Sequence, residues 1–229
     1  MMSGSSKTSV GSSTETKTIT YQGETSTVTT KQAPKTPIIG YAYIQDRYEL
    51  NDLVLNIGLR MDYFDTKAKV LKDMSLPYAG GTNPNEYDDG DFTEKKPEIN
   101  FSPRIGLGFP VTDKTVFHAQ YGKFIQQPPL SDVYTNVYEL NQLITDQNLT
   151  VTNGDVKSET TTQYELGFNQ IFGDNVAAIN VTAFYKNTRG LLNNQTYFYY
   201  RDPNKAGQVF RYIGTTNTDF GTVKGLAIT

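Results

Sequence analysis

The stretch from Asn100 to Pro128 constrains the chain more than any other, because it alternates with a period of two on both sides of one tight turn. Phe101, Pro103, Ile105, Leu107, Phe109 and Val111 fall on one face, and Ser102, Arg104, Gly106, Gly108 and Pro110 on the other. After Thr112-Asp113-Lys114 the chain returns with Phe117, Ala119 and Tyr121 apolar and His118, Gln120 and Gly122 opposite. Only a strand has that period. The resulting hairpin has a greasy face and a polar face that carries charge. A small soluble sheet can be built from it. So can the wall of a membrane barrel, whose greasy side meets lipid and whose polar side meets a watery or plugged lumen.

The same two faces recur elsewhere. Ile38 to Leu50 reads as a strand that turns at Asn51-Asp52 into Leu53 to Asp65, where Leu53, Leu55, Ile57, Leu59, Met61 and Tyr63 oppose Asn56, Gly58, Arg60 and Asp62. Thr160 to Phe172 and Val176 to Thr188 form a third hairpin around Gly173-Asp174-Asn175. In it Tyr164, Leu166, Phe168, Ile179, Val181 and Tyr185 oppose Gln163, Glu165, Asn180 and Lys186. A last strand is expected from about Val209 to Thr229.

The spacing of connections now discriminates. Two- or three-residue turns alternate with long breaks at 66 to 100, 129 to 158 and 189 to 208. The strands of 11 to 13 residues exceed the ~5 or 6 typical of soluble sheets. Short turns at one rim and long loops at the other is the pattern of outer-membrane barrels. With the short turns at the periplasmic end, Tyr48, Phe109, Phe168 and Phe172 fall low on the greasy face and Tyr63, Phe101, Tyr121 and Tyr185 high. Membrane interfaces favour such aromatic girdles. The expected fold class is therefore all-β: a partial antiparallel outer-membrane barrel, an open curved sheet of about seven long strands with unpaired edges at Ile38 and Thr229. Bacterial single-chain barrels need an even number of strands and at least eight.

Composition excludes several functions. Twenty-one basic and 24 acidic residues are well mixed, giving a net charge of −3 and no basic face for nucleic acid. Cysteine is absent, which removes disulfides, thiolate metal sites and cysteine nucleophiles. His118 is the sole histidine, so a three-histidine zinc site is excluded. The opening Met1-Met2-Ser3-Gly4-Ser5-Ser6-Lys7 has no apolar core of a signal peptide. Residues 1–36 form a polar segment in which Lys17 to Tyr21 and Thr25 to Thr29 make a possible small hairpin, either a solvated decoration or a disordered linker. The barrel is expected over 37–229.

At this point the sequence resembles the TonB-dependent outer-membrane receptors. The resemblance lies in Tyr43-Ile44-Gln45-Asp46-Arg47-Tyr48, then Leu55-Asn56-Ile57-Gly58-Leu59-Arg60-Met61-Asp62-Tyr63-Phe64, in Ser102-Pro103-Arg104-Ile105-Gly106, in Tyr121-Gly122 with Pro128, in Tyr164-Glu165-Leu166-Gly167-Phe168, and in Ala183-Phe184-Tyr185-Lys186. Their order is similar to the middle and late barrel of that family over about three quarters of the chain. The sequence departs at His118, where the family often has arginine, and at Ala227, where it commonly has glutamate. Nothing here resembles the family's plug domain or TonB box, so a fragment of the barrel is expected. The resemblance implies a bacterial outer-membrane location and energised uptake of a nutrient such as a siderophore, cobalamin, glycan or peptide. It implies no enzyme activity and no cofactor. The implied partners are outer-membrane lipid, the plug and remaining strands, the TonB complex and the nutrient.

Candidate sites follow from the two faces and the loops. Arg60, Asp62, Arg104, His118, Gln120, Glu165 and Lys186 are expected to face the lumen. His118 beside Glu165 or Asp62 reads as a hydrogen-bonded lumen histidine, since no nucleophile motif accompanies it. Leu130, Val133, Tyr134, Val137, Leu140 and Ile144 recur at helical spacing behind Ser131 and Asp132, predicting a loop helix over 130–144, as a lid or as packing. Tyr134, Tyr138, Tyr197, Tyr199 and Tyr200 are candidate ligand contacts at the extracellular mouth. Tyr197 to Tyr200 read equally well as the end of a strand. The acidic run Asn83, Asn85, Glu86, Asp88, Asp89 and Asp91 fails the calcium-loop pattern at Tyr87 and Lys96, and no metal site is expected. Gly106-Leu107-Gly108 lies inside a strand and opens no helix, so it cradles no phosphate.

Overall fold

A computed structural model describes residues 2–7, 13–21, 24–32, 34–75, 89–134, 150–173, 176–200 and 209–229. The chain starts with β1 (Met2–Lys7) and a polar hairpin, β2 (Ser13–Tyr21) and β3 (Glu24–Gln32). β4 (Ile38–Leu50) and β5 (Leu53–Asp65) follow, then the short β6 (Lys69–Leu71) and β7 (Phe92–Glu94). β8 (Glu98–Thr112) and β9 (Thr115–Gln126) form the hairpin that the alternation announces. One helical turn, α1 (Leu130–Val133), and the two-residue β10 (Thr150–Val151) lead to β11 (Glu159–Phe172), β12 (Ala177–Tyr200) and β13 (Val209–Ile228).

Among the described residues nine strands make one sheet in the order β1-β4-β5-β8-β9-β11-β12-β13-β10, antiparallel throughout except for β10 on β13. Sequential strands lie side by side because each tight turn returns the chain onto the strand it has just left. Asn51 adopts φ 52°, in the left-handed region that a short polar side chain tolerates, and Leu50 pairs with Leu53 across it. Gly173 does the same at φ 62°. The Gly173 turn shares a rim with the turn at Asp113-Lys114: Lys114 Nζ donates to Gly173 O at 2.7 Å, and the Ile171 N–H donates to Lys114 O at 2.8 Å.

Four expectations change. The edge at Ile38 is covered, because β1 pairs with β4 from Met2↔Tyr43 to Lys7↔Ile38. Its Ser-Gly-Ser-Ser run has no hydrophobic period to announce it, and backbone pairing alone places it there. Residues 189 to 200 are strand rather than loop, since β12 runs on to Tyr200 opposite Val209. A register shift between Arg189 and Asn193, with Gly190 at φ 75°, bends this pair where it continues upward. The loop helix is a single turn, for Tyr134 already has φ −89° and ψ 106°; the remainder of 130–144 lies outside the described residues. Finally, β8 begins at Glu98, three residues before the expected start, because Glu98 and Asn100 pair with Phe64 and Asp62.

Register fixes the faces. Tyr121, Tyr164 and Tyr185 stand in one cross-strand row, with ring centroids 5.2 and 6.3 Å apart. Phe109 and Phe117 pair lower down at 5.8 Å. Leu59, Ile105, Leu166 and Ile179 share this side and remain between 41% and 54% exposed. The buried apolar residues lie elsewhere: Phe64, Ala68, Val70, Leu71, Phe92, Val133, Val151, Val156 and Tyr212 gather at the end opposite the short turns. The core thus sits at the loop end of the sheet, and the sheet keeps its greasy face open.

Candidate functional site

The polar face is built row by row from the strand register. Tyr43, Arg60 and Ser102 form one row, and Gln45, Gly58, Arg104, Gly122, Gln163 and Lys186 the next. Asn56, Gly106, Gln120 and Glu165 come below, followed by Gly108, His118, Gly167 and Thr182. The seven polar residues Arg60, Asp62, Arg104, His118, Gln120, Glu165 and Lys186 therefore share one side of the sheet.

Their contacts are local and specific. Arg60 Nε donates to both oxygens of Asp62 at 2.9 and 3.1 Å, with Nη2 2.8 Å from Oδ1, and the guanidinium lies 4.3 Å over the Tyr41 ring. The Arg104 guanidinium lies 4.7 Å over Phe124, whose ring occupies the space where a Cβ on Gly122 would stand, 2.8 Å away. His118 is seated in the same way on Gly167, where a Cβ would come within 2.7 Å of the imidazole. His118 Nε2 lies 3.2 Å from Thr182 Oγ1, which donates to Asn180 Oδ1 at 2.9 Å. Gln163 Nε2 donates to Glu165 Oε1 at 2.6 Å. Glycine at 122 and 167 thus lets large rings lie flat on the strand.

At the opposite rim the loops make a compact cap. Ala68, Val133 and Val156 form a cluster joined by Tyr134 and Leu192. Tyr134 donates from its hydroxyl to Thr66 O at 2.9 Å; burial, then the Asp65 charge, raises its pKa and keeps the phenol a donor. Lys95, buried beside Phe64, donates from Nζ to Val156 O and sits 3.1 Å from Glu98 Oε1. The latter contact is ionic, since Oε1 receives no aligned hydrogen bond. The Ser158 N–H donates to Glu98 Oε2 at 3.0 Å. Burial is the largest influence on Glu98 and raises its pKa, but the Ser158 hydrogen bond and the Lys95 charge together outweigh it, and the carboxyl ends below its ordinary value. Glu98 lies above the membrane-length part of β8, since ~9–11 residues suffice for a crossing from the turn at Asp113.

Asn217 closes the cap. Its Oδ1 accepts from the Lys157 N–H at 2.6 Å, and its Nδ2 donates to Lys157 O at 3.0 Å and Gly190 O at 2.7 Å. Tyr212, fully buried, donates from its hydroxyl to Met74 O and stacks on Tyr197 with centroids 5.4 Å apart and planes 19° apart.

Of the expected mouth residues, Tyr134 and Tyr197 are at the loop end, each held by packing. Tyr199 and Tyr200 pair through their backbones with Phe210 and Val209, and Tyr138 lies outside the described residues. Residues through Asp88 of the acidic run also lie outside them; Asp91 is buried. Sequence reasoning missed Lys95, Glu98, Asn217 and Tyr212. Only the i,i+3 spacing of Lys95 and Glu98 could have signalled any of these.

Three solved structures show the fold at low identity. The Serratia marcescens hemophore receptor HasR, a double mutant in complex with HasA and heme, aligns with a TM-score of 0.55 and 14% identity over 98% of this chain and 37% of its own. The Neisseria meningitidis FrpB iron transporter, F3-3 variant, aligns at 0.52 and 19% over 86% of this chain and 23% of its own. The copper transporter OprC aligns at 0.50 and 14% over 93% and 30%. The chain thus spans under two fifths of the length of these proteins. No curated protein sequence matches it. The family model for the TonB dependent receptor-like β-barrel matches residues 5–226, nearly the whole chain. With its long antiparallel strands, alternate faces and one-sided short turns, the chain belongs to the TonB-dependent receptor β-barrel family.

Proposed function

We propose that this chain forms part of the barrel wall of a bacterial outer-membrane receptor for energised nutrient uptake. The receptor would draw its energy from the TonB complex through a plug domain. The observation that carries the reading is the inversion of burial. Leu59, Ile105, Leu166 and Ile179 stay largely exposed on one face, while the buried core lies at the loop end of the sheet. In water such a face would aggregate, whereas lipid covers it without cost. The opposite face, which carries Arg60, Arg104 and Lys186 among its polar residues, then borders an aqueous or plugged lumen.

The long-loop end is the capture surface. The cargo is a scarce nutrient such as a siderophore, cobalamin, glycan or peptide, with Tyr134, Tyr138, Tyr197, Tyr199 and Tyr200 as candidate contacts at the mouth. The chain itself supplies positioning and passage and catalyses nothing. Uptake by cells carrying the full-length receptor tests this, using ferric siderophores, heme, cobalamin, copper, glycans and peptides as probes. At least one should accumulate, and an uncoupler of the inner-membrane proton gradient should abolish it. Accumulation of many small solutes regardless of the uncoupler would instead assign a passive porin.

A further inference from the structure

Ser102 carries an unsatisfied group on the polar face. The residue is 2% exposed, and its hydroxyl is buried with no hydrogen-bond partner among the described residues. It lines a cavity of about 280 Å³ with Tyr43, Gln45, Gly58, Arg60 and Arg104. A buried hydroxyl left unpaired is unfavourable, a penalty that a ligand's oxygen would remove.

The neighbours define what ligand fits. Arg60 stands directly opposite Ser102 in the register, with its charge balanced by Asp62. Arg104 lies two residues along on the same face and meets no carboxylate among the described residues. Its guanidinium rests on Phe124, which rests on Gly122, so the stack fixes the plane and leaves the N–H edge free to donate. Arg104 also borders a second cavity of about 320 Å³, which shares Gln45 and Gly58 with the first. A hydroxyl and a fixed guanidinium edge present more donors than acceptors, beside a second arginine whose Nε and Nη2 are already held by Asp62. An oxyanion, which only accepts, complements that set.

We propose that Ser102 and Arg104, flanked by Arg60, form a binding site for a carboxylate or phosphate group. The group comes either from a free anionic solute or from an acidic side chain elsewhere in the same receptor. The site stands on the geometry of the polar face and does not depend on which nutrient the receptor carries.

The chain contains no cysteine, so Ser102→Cys introduces a single thiol into it. Thiol reaction rates would be measured on the full-length receptor in detergent micelles, with a sulfonate and a trimethylammonium methanethiosulfonate of similar size and the rate of the unsubstituted receptor subtracted. The sulfonate should react about tenfold faster, the enrichment a charged cleft confers. Adding Arg104→Gln should bring the ratio close to one, and Arg104→Lys should lower it partway if the glutamine variant does not fold. With a free solute as the natural occupant, inorganic phosphate slows the sulfonate reagent. With an internal carboxylate, both reagents react slowly, phosphate changes nothing, and Arg104→Gln speeds both. Equal rates that ignore Arg104→Gln, or no reaction in either background, would overturn the site.

Discussion

Asn217 joins the 157 loop to the bend at Gly190 through a single side chain, and no other described residue makes the same three hydrogen bonds. Replacing it with alanine should cost about 0.5–1.5 kcal/mol of local stability, because two backbone groups of Lys157 exchange a protein partner for water. Hydrogen exchange at the Lys157 amide should accelerate accordingly, with the β8 and β9 amides unchanged. Glu98 gives a pH signature. Its folded pKa lies below the unfolded one, so its contribution is present above the ordinary carboxylate range and is lost as pH falls through the folded value. The protection factor of the Ser158 amide, its exchange rate relative to the intrinsic rate at the same pH, should therefore fall on acidification, and Glu98→Gln should flatten that response. Gly154 leaves no room for a side chain, since a Cβ would stand 2.7 Å from Lys69 O. At this scale the sequence was partly legible. Arg60, Arg104 and Glu165 were readable as sharing a face because alternation is a local property. Asn217 and Lys95 were not, because their partners lie about sixty positions away.

Elements bounded by strong turn chemistry could be read directly. β4 and β5 begin and end where the alternation and Asn51-Asp52 place them. The loop helix could not. Leu130 and Val133 satisfy helical spacing, yet Pro129 offers no side-chain cap, and the hydroxyl and carbonyl of Tyr134 are taken by Thr66 and Thr152. Tertiary hydrogen bonds thus stop the helix after one turn, where periodicity alone would have continued it. The upper half of β12 was hidden for a related reason: Asn193-Asn194-Gln195 has weak strand propensity, and pairing with Gly214 to Thr216 supplies what propensity lacks. On the apolar face, Leu166 sits mid-strand in β11 and is 54% exposed. Leu166→Arg should lower the stability of the full-length receptor in vesicles by about 2–4 kcal/mol, whereas Leu166→Ile should be nearly silent. A urea titration followed by heat-modifiable gel mobility measures both.

Across the whole molecule, the described sheet is linear rather than closed, with β1 at one side and β10 touching only Ile213 and Gly214 at the other. Lipid offers no hydrogen bonds to a bare strand edge. Residues 1–229 by themselves should therefore insert poorly and pass no solute in liposomes; stepwise single-channel currents from them would contradict the open sheet. The wall architecture was evident from spacing, because alternation and turn length are written locally. The packing of its loop end was not, since the cap depends on Ala68, Val133 and Val156 meeting from three separate connections.

The bend at Gly190 has a mechanical consequence. Beyond it, β12 runs from Leu191 to Tyr200, a mast of about 30 Å at the usual strand rise, paired without a break to β13 from Asn193 onward. A paired ribbon is stiff along its length, and its two register shifts both lie between Arg189 and Asn193. A load applied at the tip, by a docking macromolecule or by the pull of an attached probe, would travel down the ladder undiminished and concentrate there. The tip would then swing as a lever about Gly190, with Asn217 acting as the strut that resists it.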